Sequence, residues 1–143
     1  MSDQTMDLGS GIAAFETKFF SRAMQLLSPL AQIGNAEAQY RVAVMYQNGL
    51  GMAVNEKEAY RWMRAAAEQN HGLAQHGLGF MLMEGECTTQ DSEAAISWFR
   101  RAAEQGLAGS QATLGMMYRE GRGVPQDEAE ARHWLRLAGF EEA

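Results

Sequence analysis

Apolar and small side chains in this chain follow helical spacing, and the helical pattern itself repeats. Ala38, Val42 and Tyr46 fall at i, i+4 and i+8, as do Ala74, Leu78 and Leu82, then Ser110, Leu114 and Tyr118. That spacing lines one stripe of an α-helix, where a half-buried strand would alternate. A second stripe follows each of these: Ala59, Trp62, Met63, Ala66; then Ala95, Trp98, Phe99, Ala102; then Ala131, Trp134, Leu135, Ala138. The interval is 36 residues throughout, and residues 60–95 match residues 96–131 at 15 of 36 positions without a gap. The pattern predicts three helix pairs. Their first (A) helices lie near 36–48, 72–84 and 108–120, and their second (B) helices near 56–69, 92–105 and 128–139. No pair can bury its own stripe, but stacked pairs join their stripes into one core. The three indoles are expected inside that core, each covering on the order of 200 Å², with Trp98 the central one.

Turn residues agree with these boundaries. Asn55, Asp91 and Asp127 precede the B helices, where a side-chain oxygen takes unpaired backbone N–H groups. Gly34, Asn70 and Gly106 follow B helices, and Gly49, Gly85 and Gly121 follow A helices, at positions that call for a left-handed residue. Gly79 and Gly115 fall inside A helices, which predicts close approach of a neighbouring helix or Trp ring; Ala43 is their counterpart in the first repeat. An upstream helix near 14–33, carrying Phe19, Phe20, Ala23, Leu26 and Leu27, reads as a B-type helix covering the first A helix. Pro29 is expected to kink or break it. Residues 1–11 read as a loose tail, 12–143 as a single repeat domain with pairs at about 34–69, 70–105 and 106–140, and residues 141–143 as a fraying helix end.

Composition narrows the function classes. The net charge is −6, which argues against a nucleic-acid binder needing a basic face. One cysteine excludes an internal disulfide framework, and no apolar run approaches the length of a membrane span. The first eleven residues have neither the basic nor the apolar region of a secretory leader, so a cytoplasmic protein is expected.

The combined motif resembles the Sel1-like repeat family, a relative of the tetratricopeptide repeats. It is carried by Ala112-x-Leu114-Gly115-x-x-Tyr118-x-x-Gly121-x-Gly123-Val124-Pro125-x-Asp127 and then Ala131-x-x-Trp134. Leu78-Gly79, Gly85, Asp91, Ala95, Trp98 and Ala102-Ala103-Glu104-Gln105-Gly106 match it in the second repeat, where Gly85-Glu86-Cys87-Thr88-Thr89 replaces the Gly-x-Gly-Val-Pro turn. The resemblance covers roughly residues 19–139. It implies an all-α fold, a right-handed α-α superhelix (solenoid) of antiparallel helix pairs, and a role as an adaptor for peptides or protein partners. In such solenoids the A helices line the concave face. That would set Tyr40, Val44 and Gln47, then His76, Phe80 and Met83, then Ala112, Met116 and Arg119 along a binding groove. Met adapts to irregular partners, and Arg41 and Arg119 could anchor a partner carboxylate. Cys-rich members of the family carry paired cysteines in every unit, and penicillin-type ligand binding or hydrolysis is attributed to them; this chain has no such pairs.

Other chemistry is weakly signalled. Gly49-x-Gly51 and Gly121-x-Gly123 follow helices, unlike a phosphate loop after a strand, and read as helix–helix turns. His71 and His76 are five apart, off the face a helical metal-ligand pair uses, and His133 lies in another repeat. Cys87 stands where Gly51 and Gly123 stand and reads as an inert turn thiol. No Ser-x-x-Lys or Gly-x-Ser-x-Gly occurs. The expectation is therefore a non-catalytic interaction scaffold without metal or cofactor, binding protein rather than nucleic acid or membrane. A small-molecule sensor, or a β-lactamase-like hydrolase, is the alternative. The C-terminal helix has no following A helix, which makes self-association a further partner class.

Overall fold

The 36-residue period carries directly into the helix boundaries. The computed structural model describes residues 3–140. Among the described residues there are eight helices and no strand: α1 (Asp3–Glu16), α2 (Phe20–Gln32), α3 (Ala36–Asn48), α4 (Glu56–Glu68), α5 (Gly72–Glu84), α6 (Ser92–Glu104), α7 (Ala108–Glu120) and α8 (Glu128–Leu137). The A helices α3, α5 and α7 and the B helices α4 and α6 are thirteen residues each. The chain divides into two compact units, one ending at His71 and one beginning at Gly72. In the first, α1 packs on α2, α2 on α3 and α3 on α4; in the second, α5 packs on α6, α6 on α7 and α7 on α8.

Caps form where the sequence placed them. Side-chain oxygens of Asn55, Asp91 and Asp127 accept from the backbone N–H of Glu58, Ala94 and Glu130 at 3.1, 3.0 and 3.1 Å. Asn35 caps α3 in the same way, accepting from Ala38 at 2.9 Å. The A helices end on Gly49, Gly85 and Gly121 at φ of 65°, 70° and 69°. The divergent turn of the second repeat keeps the shape of the others: Cys87 holds φ 66°, where Gly51 and Gly123 hold 75° and 77°. A side chain strains at such an angle, so the cysteine carries a backbone cost that its glycine counterparts avoid.

Small residues inside the A helices decide how closely each pair packs. A Cβ on Gly79 would come within 2.8 Å of the Phe99 ring, and one on Gly115 within 2.7 Å of the Leu135 Cγ. The expected close neighbour is thus a core side chain of the partner B helix, twenty residues on, and not an indole. Ala43 and Met63 are the equivalents in the first repeat. The A and B stripes are buried except for Tyr46, Trp98, Tyr118 and Ala138, which are half-buried, and Met63, Met81 and Met117 are core residues.

The indole ladder is uneven. Trp62 and Trp134 are 9% and 7% exposed, but Trp98 is only half-buried. The second repeat fills its interior with Phe99, 0% exposed, and leaves the neighbouring indole at the surface under the Arg101 guanidinium, 4.6 Å from its centroid. The helix α8 is three residues shorter than α4 and α6, because Gly139 turns the chain at φ 105°.

The N-terminal region departs most from expectation. Residues 3–11, expected as a loose tail, belong to α1, and the upstream helix near 14–33 is two helices. The break falls at 17–19, where Lys18 takes φ 68°, and α2 runs through Pro29 to Gln32. Phe19 precedes the first turn of α2 and is 67% exposed, outside the core. What holds α1 is another close approach: a Cβ on Gly11 would lie 2.6 Å from Leu27. Leu27 is Met63 shifted by one repeat, so Gly11 does what Gly79 and Gly115 do. Its separation from the large partner is sixteen residues rather than twenty. The pair α1–α2 is therefore a helix pair of the same kind with a turn four residues shorter. The fraying end expected at residues 141–143 lies outside the described residues.

Two stability measurements check this packing. Phe99→Ala should cost about 3–5 kcal/mol in urea unfolding, and Trp98→Ala less than half as much; equal losses would mean that Trp98, too, is core. Cys87→Gly should raise stability by roughly 1 kcal/mol through relief of the left-handed backbone, and a loss instead would show that the thiol packs to advantage.

Candidate functional site

The helices that could present a binding face are the A helices, so the nine ladder residues are followed unit by unit. In the first unit, Tyr40 is half-buried and stacks on His71 with centroids 4.9 Å apart. Burial raises its phenol above the ordinary value, with Arg41 lowering it and Glu37 raising it further. Val44 and Gln47 lie along the same helix face and are half-buried. His71 Nε2 is 2.6 Å from Glu37 Oε2. Burial pushes the Glu37 carboxyl up, but hydrogen bonds and charge from His71 and Arg41 outweigh it and hold the group below its ordinary range.

The same face continues onto α1. With Gly11 in register with Ala43, Leu8, Ile12 and Phe15 stand in the places of Tyr40, Val44 and Gln47, and each is half-buried. Arg41 links the two helices, its guanidinium 5.0 Å from the Phe15 centroid and 3.7 Å from Glu16. Sequence reasoning missed these three because residues 1–11 were read as a tail and 14–33 as one B-type helix; the signal lay in the sixteen-residue offset between Gly11 and Leu27.

In the second unit the ladder forms a groove of about 330 Å³. Phe80 and Met83 of α5 face Ala112 and Met116 of α7 across it, with Thr113, Met117, Glu120 and Arg122 completing the walls. Phe80 is 38% exposed and Met116 43%. Phe80 is held by edge-on contacts to His76 and Phe99, at 4.9 and 5.1 Å between centroids, so its ring is fixed before any ligand arrives. His76 Nδ1 lies 2.6 Å from the hydroxyl of fully buried Ser110, and burial lowers its pKa from the ordinary value.

Three of the expected groove features take other roles. Met83 is 6% exposed, because Arg122 crosses from the following turn and donates to its carbonyl at 3.2 Å. Arg119 turns back onto Glu128 at the start of α8, with contacts of 2.7 and 3.4 Å. Arg41 donates to Glu37 at 2.9 Å. Neither arginine is an open anchor for a partner carboxylate.

The histidines and turns proposed for other chemistry are engaged in the repeat itself. His71 pairs with Glu37 and His76 with Ser110. The turns at Gly51 and Gly123 press onto the first residues of earlier B helices: added Cβ atoms would meet Phe20 at 2.6 Å and Ser92 at 2.7 Å. Among the described residues, no helix is long and apolar enough to cross a membrane.

Comparison with known proteins fits this geometry. The Sel1 repeat matches residues 36–71, 72–107 and 108–139. The chain is similar to a Sel1 repeat protein from Oxalobacter formigenes, at 32% identity and a TM-score of 0.87 over 92% of this chain and 54% of that one. It is also similar to a protective antigen present in uropathogenic Escherichia coli strains that displays an SLR fold, at 38% identity and a TM-score of 0.79 over 84% of this chain and 26% of that one. Cysteine-rich protein B of Helicobacter pylori shares the fold, at 19% identity and a TM-score of 0.66 over 85% and 90% of the two chains. This chain thus spans about half of the Oxalobacter protein and about a quarter of the Escherichia coli antigen. No curated protein matches it significantly. Sel1 repeats are generally non-catalytic helical scaffolds and commonly serve protein interaction. With three matched repeats covering most of its length, the chain belongs to the Sel1 repeat family.

Proposed function

We propose that the chain is a non-catalytic scaffold that binds a protein or peptide segment on the ladder face of its A helices, anchored in the groove between α5 and α7. The observation that carries this reading is the pair of large apolar side chains Phe80 and Met116, kept partly in water on either side of the groove. Clustered apolar side chains at a surface mark interaction sites more often than isolated ones do. A fixed aromatic opposite a flexible thioether offers one firm wall and one adaptable wall. The groove volume suits one or two side chains of a peptide, and its walls come from two successive A helices, as a segment running across repeats would require. A metabolite sensor would want an enclosed cavity. A β-lactamase-like hydrolase would want an accessible nucleophile, and Ser110, hydrogen-bonded to His76, is fully buried.

Affinity capture from the native host tests this. Phe80→Asp and Met116→Asp should each lose the partners that the unaltered chain retains, with apparent affinity falling at least about tenfold. Phe80 also touches Phe99, so Met116→Asp guards against a folding defect in the first variant. Retention of all partners by a well-folded Met116→Asp chain would sink the groove reading. Self-association through α8 is supported by Leu137 and Phe140, which are 54% and 56% exposed. Light scattering across a concentration series should then give a mass that rises with concentration, and a constant monomer mass would remove this second mode.

A further inference from the structure

We propose that the groove between α5 and α7 selects a peptide segment in which an apolar residue is followed closely by a lysine or arginine. This rests on the groove being the binding site, and adds the chemical class of its ligand. The apolar half of the requirement comes from Phe80 and Met116. The basic half comes from how the charges around them are spent.

Two arginines lie near the groove, and both are neutralised within the chain. Arg119 is held by Glu128 at 2.7 Å, and Arg122 lies 3.7 Å from Glu84 while donating to the Met83 carbonyl. Glu120 is the counterexample. It lines the groove, is exposed, and has no hydrogen-bond or ion-pair partner among the described residues. It stands one helical turn beyond Met116 on the same face of α7, so a ligand side chain lying on Met116 has this carboxylate as its next neighbour.

Its position strengthens the argument. Glu120 is the last residue of α7, and Glu84 holds the same place at the end of α5. Carbonyl groups at a helix C-terminus already carry partial negative charge, so a carboxylate there works against helix stability. Glu120 and the carbonyls at the end of α7 give this end of the groove a negative potential that a partner's ammonium or guanidinium would relieve. The chain's net charge of −6 attracts the same ligand at longer range. An acidic segment meets repulsion from both sources.

The test is selection on the 143-residue chain from a phage-displayed library of random peptides about a dozen residues long. Parallel selections use the Glu120→Lys, Glu120→Gln and Met116→Asp variants, each checked by thermal melting. The expected result is enrichment of peptides with a large apolar residue and a lysine or arginine within about four positions, lost with Met116→Asp. Glu120→Lys should replace the basic preference by an acidic one. Glu120→Gln should weaken a synthetic copy of a selected peptide about two- to fivefold, as an exposed ion pair would, with a smaller loss at high salt. Enriched peptides that depend on Met116 but show no basic preference would overturn this inference and leave the scaffold reading standing. Absence of any peptide that depends on Met116 would overturn both.

Discussion

In three of the four helix pairs the distance between the two helices is set by a missing side chain. Where Gly79 faces Phe99, Gly115 faces Leu135 and Gly11 faces Leu27, the backbone of one helix touches a large residue of the next, with no room for a Cβ. Interiors packed this densely respond to a single methyl group. The same contact fixes which side of each A helix is buried. The ladder residues lie beside that contact, with Phe80 and Met116 each directly following a notch glycine in the chain. Phe80 shows the link directly: its ring rests on Phe99, the residue that Gly79 admits into the core. The exposed Phe80 ring is thus supported from beneath by the contact that closes the pair.

A polar relay runs beside this apolar contact. Gln39 donates to the Ala31 carbonyl at the end of α2 and accepts from Gln69 at the end of α4. In the second unit Gln111 donates to Ala103 at the end of α6, and Gln105 donates to Gln75 at 2.8 Å. Gln39 and Gln111 are buried, so each satisfies a helix-end carbonyl that water does not reach. The relay is directional, since an amide both donates and accepts. It joins the end of one helix pair to the next pair in a fixed register, which apolar packing alone would leave free to slide.

Most of this was legible in the sequence, because the signals were repeated and local. A period of 36 residues located six helices to within a residue or two, and Asn55, Asp91 and Asp127 marked their caps. Burial of Met63, Met81 and Met117 followed from phase. What failed was not periodic. Residues 3–11 hold Gly9 and Gly11 among mostly polar side chains and so read as a tail, while tertiary packing at Gly11 makes them the first turns of α1. Trp98 shared the phase of two buried indoles, but a phenylalanine one position on took the interior. At the candidate site, phase set Phe80 and Met116 on one face, and both stand there partly exposed. It could not reveal that Arg119 folds back on Glu128 or that Arg122 covers Met83, because those contacts join side chains across turns. Glu120, the unpaired carboxylate, was likewise invisible until its neighbours' partners were known.

The shortened turn of α1–α2 has a consequence for how such arrays change over time. Each notch sits five residues before the end of its helix: Gly11 before Glu16, Gly79 before Glu84 and Gly115 before Glu120. The four missing residues therefore come out of the non-helical connection alone, which is 17–19 in the first pair and 49–55 in the next. Neither the rotation of α1 nor its height on α2 has to change, so a connection can be trimmed while the contact that shuts the pair is kept.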